Sequence, residues 1–145
     1  MMDRIIVDAE GNALVEHPTE AAVDDDAVAT ARAARALATD RNVAAVAVFT
    51  RSGRTAQLMA KVRPPVPVLA FTPEAGTLQR LNLCWGVEPH RVPLAGSVET
   101  LIKEVEQVIR ARGRADPGQQ IVIVASLPVG AMGPANFAHL HTLRA

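Results

Sequence analysis

The sequence predicts an α/β fold built on a five-stranded, mainly parallel sheet whose last strand runs antiparallel. Three observations carry that expectation. Short apolar runs rich in β-branched residues alternate with segments of helical periodicity, a pattern that builds right-handed βαβ units and a parallel sheet. Only a short loop bearing glycine and proline separates the last two strands, which permits a hairpin-like return and makes the fifth strand antiparallel. At 145 residues and 49% hydrophobic content, the chain fits a single domain large enough for a true core.

Taken in order, residues 3–10 read as a short helix with Ile5, Ile6 and Ala9 available to dock. Residues 11–26 are polar and acidic, with Pro18 and the run Asp24, Asp25, Asp26, and read as a linker of solvated charge. Residues 27–40 form an alanine-rich helix with acids at its start, where they complement the dipole; its small side chains suit close packing on a sheet. Residues 43–49 are apolar and β-branched, a buried strand. The next helix carries the stripe Ala56, Leu58, Met59, Val62. Residues 66–71 are the second strand. Thr72 then reads as a helix cap with Pro73 at the first helical position, and that helix runs to about residue 83. The third strand, 87–94, is interrupted by Pro89 and Pro93. Ser97 caps the clearest helix, in which Val98, Leu101, Ile102, Val105, Val108 and Ile109 recur at helical spacing and Gly113 ends the run. Asp116, Pro117 and Gly118 form a turn, residues 120–127 a fourth, apolar strand, 128–135 a loop, and 136–143 the last strand. The sequence holds no internal repeat or low-complexity tract.

The stretch with the most chemical content is the turn between the first strand and its helix: Thr50, Arg51, Ser52, Gly53, Arg54, Thr55. It sits where a strand's carboxyl end meets a helix's unpaired N–H groups. Those groups and the helix dipole favour an anion. Ser52 and Thr55 can donate to phosphate oxygens, Arg51 and Arg54 supply charge, and Gly53 allows close backbone approach. Equally, Thr50 or Ser52 could simply cap the helix with both arginines solvated, and local sequence leaves the two readings open.

The residues downstream of the turn carry a resemblance. Arg63-Pro64-Pro65-Val66-Pro67-Val68-Leu69-Ala70-Phe71-Thr72-Pro73 and Leu83-Cys84-Trp85-Gly86-Val87-Glu88-Pro89, with the turn in this order and spacing, resemble the carboxy-terminal domain of pyruvate kinase over residues 26–143. The motifs are specific in combination rather than singly. The resemblance implies a three-layer α/β/α sandwich around the five-stranded mixed sheet. It also implies that Thr50, Arg51, Ser52, Gly53, Arg54 and Thr55 hold a phosphate of an allosteric effector. The loop carrying Pro128, Gly130 and Gly133 would form the other lip of that cleft. In the animal pattern a Trp-Arg pair in this lip helps clamp the second phosphate of fructose 1,6-bisphosphate; Leu127 and Pro128 offer neither ring nor charge. The lip looks like the bacterial type, and a monophosphorylated sugar or a nucleotide fits it better than a bisphosphate. Residues 1–10 look like the family's last catalytic-domain helix, so residues 1–25 are expected to be the end of that helix and a linker, with the effector-binding domain at 26–145 and Met1 internal to a longer parent.

The parent so implied is a glycolytic enzyme transferring phosphate from phosphoenolpyruvate to ADP, with magnesium and potassium on its catalytic barrel. The motifs that carry that chemistry are not in this sequence, so no catalytic residue, cofactor or metal is assigned here and the chain alone is expected to be inactive. Expected partners are a phosphorylated small-molecule effector, the parent's catalytic domain, and further copies of the chain through the last strand, since pyruvate kinases are tetramers and this domain forms one of their subunit contacts. That strand bears Phe137, Leu140 and Leu143 with few charges and reads as a poorly protected sheet edge. A stand-alone phosphometabolite-binding protein of the same fold without catalytic activity is the alternative. A small hydrolase using Ser52 as nucleophile is a third reading, for which sequence places no histidine or acid nearby.

Other features have plainer readings. Fifteen acids balance 15 bases, which advertises neither a nucleic-acid nor a membrane surface. With no signal peptide and no apolar run of membrane length, a cytoplasmic protein is expected. Cys84 in its apolar run reads as a buried thiol and Trp85 as a core anchor. His139 and His141 share one strand face without a third metal ligand at a recognisable spacing. Arg110, Arg112 and Arg114 sit at a helix carboxyl end, where cations complement the dipole.

Overall fold

The computed structural model describes residues 25–129 and 133–144. The sequence expectations for residues 1–24, including the helix at 3–10, lie outside the described residues. Four helices and five strands alternate: α1 Asp26–Asp40, β1 Ala45–Phe49, α2 Arg54–Val62, β2 Val68–Thr72, α3 Ala75–Leu81, β3 Val87–Arg91, α4 Val98–Ala111, β4 Gln120–Ala125 and β5 Phe137–Thr142. The strand order is β3-β2-β1-β4-β5. β3, β2, β1 and β4 are parallel, and β5 returns antiparallel on β4, with Gln120 opposite Thr142 and Ala125 opposite Phe137. The expected mixed sheet is therefore the observed one.

Period-two alternation divides the sheet between two cores. Val46, Val48, Val68, Ala70, Val122 and Val124 face α1, α2 and the end of α3, where Ala31, Ala34, Ala56, Met59 and Leu81 pack on them. Ala45, Ala47, Leu69, Phe71, Ile121 and Ile123 face the other way, onto Leu101, Val105 and Ile109 of α4. Both faces are covered, which is why the central strands read as continuous apolar runs. The alanine stripe of α1 (Ala27, Ala31, Ala34, Ala38) is fully buried, and small side chains there let the helix lie close to β4 and β5. Thr30 Oγ1 donates to the Ala135 carbonyl at 3.0 Å, fixing α1 to the segment that leads into β5.

Several boundaries differ from those read off the sequence. Asp25 and Asp26 do not belong to a solvated linker: Asp25 caps α1, its Oδ1 accepting from the Ala27 and Val28 N–H groups, and Asp26 opens the helix. Thr72 ends β2 fully buried instead of capping α3. Its hydroxyl accepts from the Glu74 N–H at 3.1 Å, a local turn that delays the helix until Ala75. β3 stops at Arg91. It is an edge strand, where Pro89 is tolerated because one side of the backbone needs no partner.

The largest departure concerns the Leu83-Cys84-Trp85 run. Trp85 is 89% exposed and Leu83 88%, so neither anchors the core, and Cys84 is only partly buried. These residues fall in the turns between α3 and β3, where Leu83 and Cys84 N–H groups close back on Arg80 and Leu81 carbonyls. Gly86, at φ +81, then swings the chain into the strand. Leu81 and Cys84 point towards the first core, and the two largest apolar side chains are left outside.

β5 lies at the opposite edge, as expected. Along its α4 side, Phe137 and His139 rings lie 5.8 Å apart, as do His139 and His141. His141 Nε2 meets Glu106 of α4 at 2.7 Å.

Candidate functional site

The connections of this sheet create a crevice. From β1 the chain proceeds outward through β2 and β3; α4 then carries it back to β4 on the other flank of β1. The carboxyl ends of β1 and β4 thus diverge at a topological switch point, the usual ligand position in open α/β sheets. A cleft of about 620 Å³ lies there, with Phe49 and Thr50 from the β1 end, Ala125 and Ser126 from the β4 end, and Leu94 and Leu101 among its apolar walls.

The Ser-Gly turn forms one lip. Gly53 is the residue before α2, at φ +94 and ψ −8, and no side chain caps the helix. The first-turn N–H groups, by helix geometry, have no intrahelical partner. Thr50 Oγ1 accepts from the Gly53 N–H at 2.8 Å and Ser52 Oγ from the Arg54 N–H at 3.3 Å. As acceptors, both hydroxyls shape the turn while keeping their own protons for another oxygen. Behind the turn, Thr77 Oγ1 donates to the Arg51 carbonyl at 2.6 Å and Arg80 Nη2 to the Ser52 carbonyl at 3.2 Å. α3 therefore props the turn from outside the cleft.

The two arginines are engaged. Arg51 pairs with Glu74 at 3.1 Å and Arg54 with Asp25 at 2.6 Å. The hydrogen bond from Arg54, aided by the Val28 and Ala27 N–H groups, holds the Asp25 carboxyl below the usual carboxylate range. Arg51 Nε is buried without a hydrogen-bond partner.

Of the residues singled out from sequence, Thr50, Arg51, Ser52, Arg54 and Thr55 line the cleft, and Gly53 supplies the backbone conformation that turns the chain into α2. On the second lip, Gly133 lines it, with Ser126, Val129 and Pro134. Pro128 is exposed and is not part of the lining; Gly130 lies outside the described residues. Sequence reasoning missed Asp25 and Asp26 as cleft residues, and also Asn136. The Asn136 side chain accepts from the Leu127 N–H at 2.8 Å and donates to its carbonyl at 3.0 Å, holding the two ends of the second lip together. An asparagine directly before a strand was the available signal.

The helix start, hydroxyls and guanidinium groups of this lip have the chemistry to meet an anion. His90 bonds Glu88, His141 bonds Glu106, and His139 stacks on β5; none of these lines the cleft with Ser52. Burial pushes the Glu88 carboxyl up, but hydrogen bonds from Arg114 and His90 outweigh it and leave the group below its ordinary range. Among the described residues, no group of three or more His, Cys, Asp or Glu could hold a metal ion. No helix among them is long and apolar enough to cross a membrane.

Comparison with known proteins adds a family. The family described as "Pyruvate kinase, alpha/beta domain" matches residues 28–141. A pyruvate kinase of Mycobacterium intracellulare is 32% identical over 142 residues, covering 98% of this chain and 30% of the relative. One from Agrobacterium vitis is 38% identical over 110 residues, 76% of this chain and 23% of the relative. The chloroplastic pyruvate kinase isozyme A of Nicotiana tabacum is 27% identical over 128 residues, 87% and 22%. The chain spans 30% or less of the length of these relatives.

Proposed function

The chain belongs to the pyruvate kinase alpha/beta domain family, and from that premise we propose that it is the regulatory, oligomerising carboxy-terminal domain of a pyruvate kinase. In this reading it binds a phosphorylated small molecule in the cleft at the β1–β4 switch point. Catalytic transfer of phosphate from phosphoenolpyruvate to ADP belongs to a separate catalytic domain of the parent. In this reading the magnesium and potassium of that reaction belong to the catalytic domain.

One observation supports the binding reading: an α2 amino terminus whose cap residue, Gly53, offers no side chain, opening into a cleft whose rim carries Ser52, Thr55, Arg51 and Arg54. Backbone N–H groups and the helix dipole supply a fixed positive potential there. Hydroxyl protons and guanidinium groups can add charge-assisted hydrogen bonds to phosphate oxygens. The apolar walls would take the remainder of the ligand. Binding in this cleft would bear on α1 through Asp25, which pairs with Arg54, and on α3 through Glu74, which pairs with Arg51 from outside the cleft, a physical route from ligand to neighbouring surfaces.

Calorimetric titration of sugar phosphates and nucleotides tests this, with Ser52→Glu as the comparison because it puts a like charge at the helix start. We expect binding to wild type and at least about a tenfold loss in the variant, which corresponds to ~1.4 kcal/mol. Equal binding to both proteins, or none at millimolar ligand, refutes the site.

A further inference from the structure

Among the described residues, the charged side chains that line the cleft are Asp25, Asp26, Arg51 and Arg54. Two acids thus face two bases on the wall of a site proposed to take an anion. Moreover, both bases are already met by carboxylates of this chain. Arg51 meets Glu74 at 3.1 Å, and Arg54 meets Asp25 at the shorter distance of 2.6 Å. The Asp25 carboxylate is split between two tasks: Oδ1 accepts from the Ala27 and Val28 N–H groups at the start of α1, and Oδ2 accepts from Arg54 Nη2. The first task fixes where the carboxylate sits, so the second is not a chance encounter of two long side chains. Arg54, as the first residue of α2, is also the cation nearest in sequence to the N–H groups that would hold a phosphate.

We propose that Asp25 is a built-in competitor for the site: its carboxylate occupies Arg54, so that an incoming phosphate must share or displace it, and its charge limits the cleft to ligands with a single phosphate. The inference rests on the phosphate-binding reading given above and names the ligand class within it. A phosphate monoester brings about two negative charges near neutral pH. One such group can take over Arg54 while Asp25 remains on α1 through Oδ1. A second phosphate would enter a cleft whose remaining described cation is held by Glu74 and whose wall carries Asp25 and Asp26, with no positive charge beyond Arg51 and Arg54 among the described lining residues. The discrimination therefore comes from repulsion at the α1 end and not only from the uncharged second lip.

The test uses the full chain and three variants. Asp25→Asn removes the charge while keeping a side-chain oxygen that caps a helix as well as aspartate does, and Asp25→Ser does the same with a second competent cap. Asp26→Asn removes a charge from the same wall without touching the contact to Arg54. A hexose monophosphate and a hexose bisphosphate are titrated into each protein at one ionic strength. An exposed ion pair of this kind converts to about a two- to fivefold change in affinity. We expect both Asp25 variants to bind the monophosphate about two- to fivefold more tightly than wild type. The bisphosphate should gain more than that, so that the preference for one phosphate narrows. Asp26→Asn should shift both ligands less. An unchanged preference in both Asp25 variants overturns the role of Asp25 and leaves the binding site standing, as does an equal effect of Asp26→Asn, which would make the effect one of general charge. Failure of every protein to bind either compound refutes the site itself, and this inference with it.

Discussion

Replacing Gly53 by alanine would strain the turn in two separable ways. The residue sits at φ +94, where an L side chain costs roughly 1–2 kcal/mol. The added Cβ would also lie 3.3 Å from Thr77 Cγ2 and 3.6 Å from Leu81 Cδ2. The Leu81 contact is an ordinary one, and the crowding is with Thr77. Thr77 is held by its bond to the Arg51 carbonyl and by Arg80, and Leu81 is fully buried. Overpacking of this kind costs about 1–3 kcal/mol, partly offset by about 0.4–1 kcal/mol from the stiffer unfolded chain. Gly118 provides the internal control: its φ is +92 and an added Cβ would meet nothing within 4 Å. Gly118→Ala should therefore cost about 1 kcal/mol and Gly53→Ala about 2–3 kcal/mol. At about 2–4 °C per kcal/mol for a chain near this size, the melting temperatures should fall by about 3 and 7 °C. Urea unfolding at unchanged m-value gives the free energies directly. Equal costs would refute the crowding argument, and a neutral Gly53→Ala would refute the whole account of why glycine stands there.

Three further outcomes are expected from the same structure. Trp85→Ser should change stability by no more than about 0.5 kcal/mol, because the ring is 89% exposed; a loss of several kcal/mol in urea would restore Trp85 to the core. Burial, and secondarily the charge of His141, depress the pKa of His139 below 6.5. The unfolded chain then binds more protons than the folded one, so stability is full above the unfolded value and is lost as pH falls from there through the folded value. His139→Gln should flatten that part of the pH–stability curve, and an unaltered slope in urea midpoints would count against the depressed pKa. If the β5 edge is a subunit contact, light scattering at high micromolar concentration should give twice the mass of one chain, and a monomeric wild type would end that reading.

The fold was largely legible because its signals are redundant. Val46, Val48, Val122 and Val124 lie in strands buried on both faces, where periodicity, β-branching and length agree. The α4 stripe was equally plain, since Leu101, Val105 and Ile109 recur at helical spacing and Ser97 caps as expected. Misreadings fell where one local signal had two physical uses. Thr72 and Pro73 make a good helix start, but the threonine hydroxyl was used two residues on, and Thr72 itself was needed as the last buried residue of β2. Trp85 is apolar enough for a core, but the turns after α3 and the bend at Gly86 decide which way it points.

For a related reason, the cleft lining was more legible on the first lip than on the second, where Gly133 alone of the named residues lines it. Thr50, Ser52, Gly53 and Thr55 act through backbone geometry within six residues, and sequence reads local geometry well. Asp25 lies 29 residues before its partner Arg54, and nothing in an acidic run distinguishes the one carboxylate that both caps a helix and crosses to another. That crossing depends on the sheet order: α1 and α2 pack side by side on one face, which brings their amino ends together at the mouth of the crevice opened between β1 and β4. The two helix starts are then treated oppositely. α1 begins on a carboxylate of its own, and α2 begins on a glycine that offers no capping side chain, with Ser52 Oγ meeting only the Arg54 N–H. The Arg54–Asp25 pair bridges the two starts, and in the proposed reading an anion arriving at the second would compete with Asp25 for Arg54 while Asp25 keeps its hold on α1 through Oδ1.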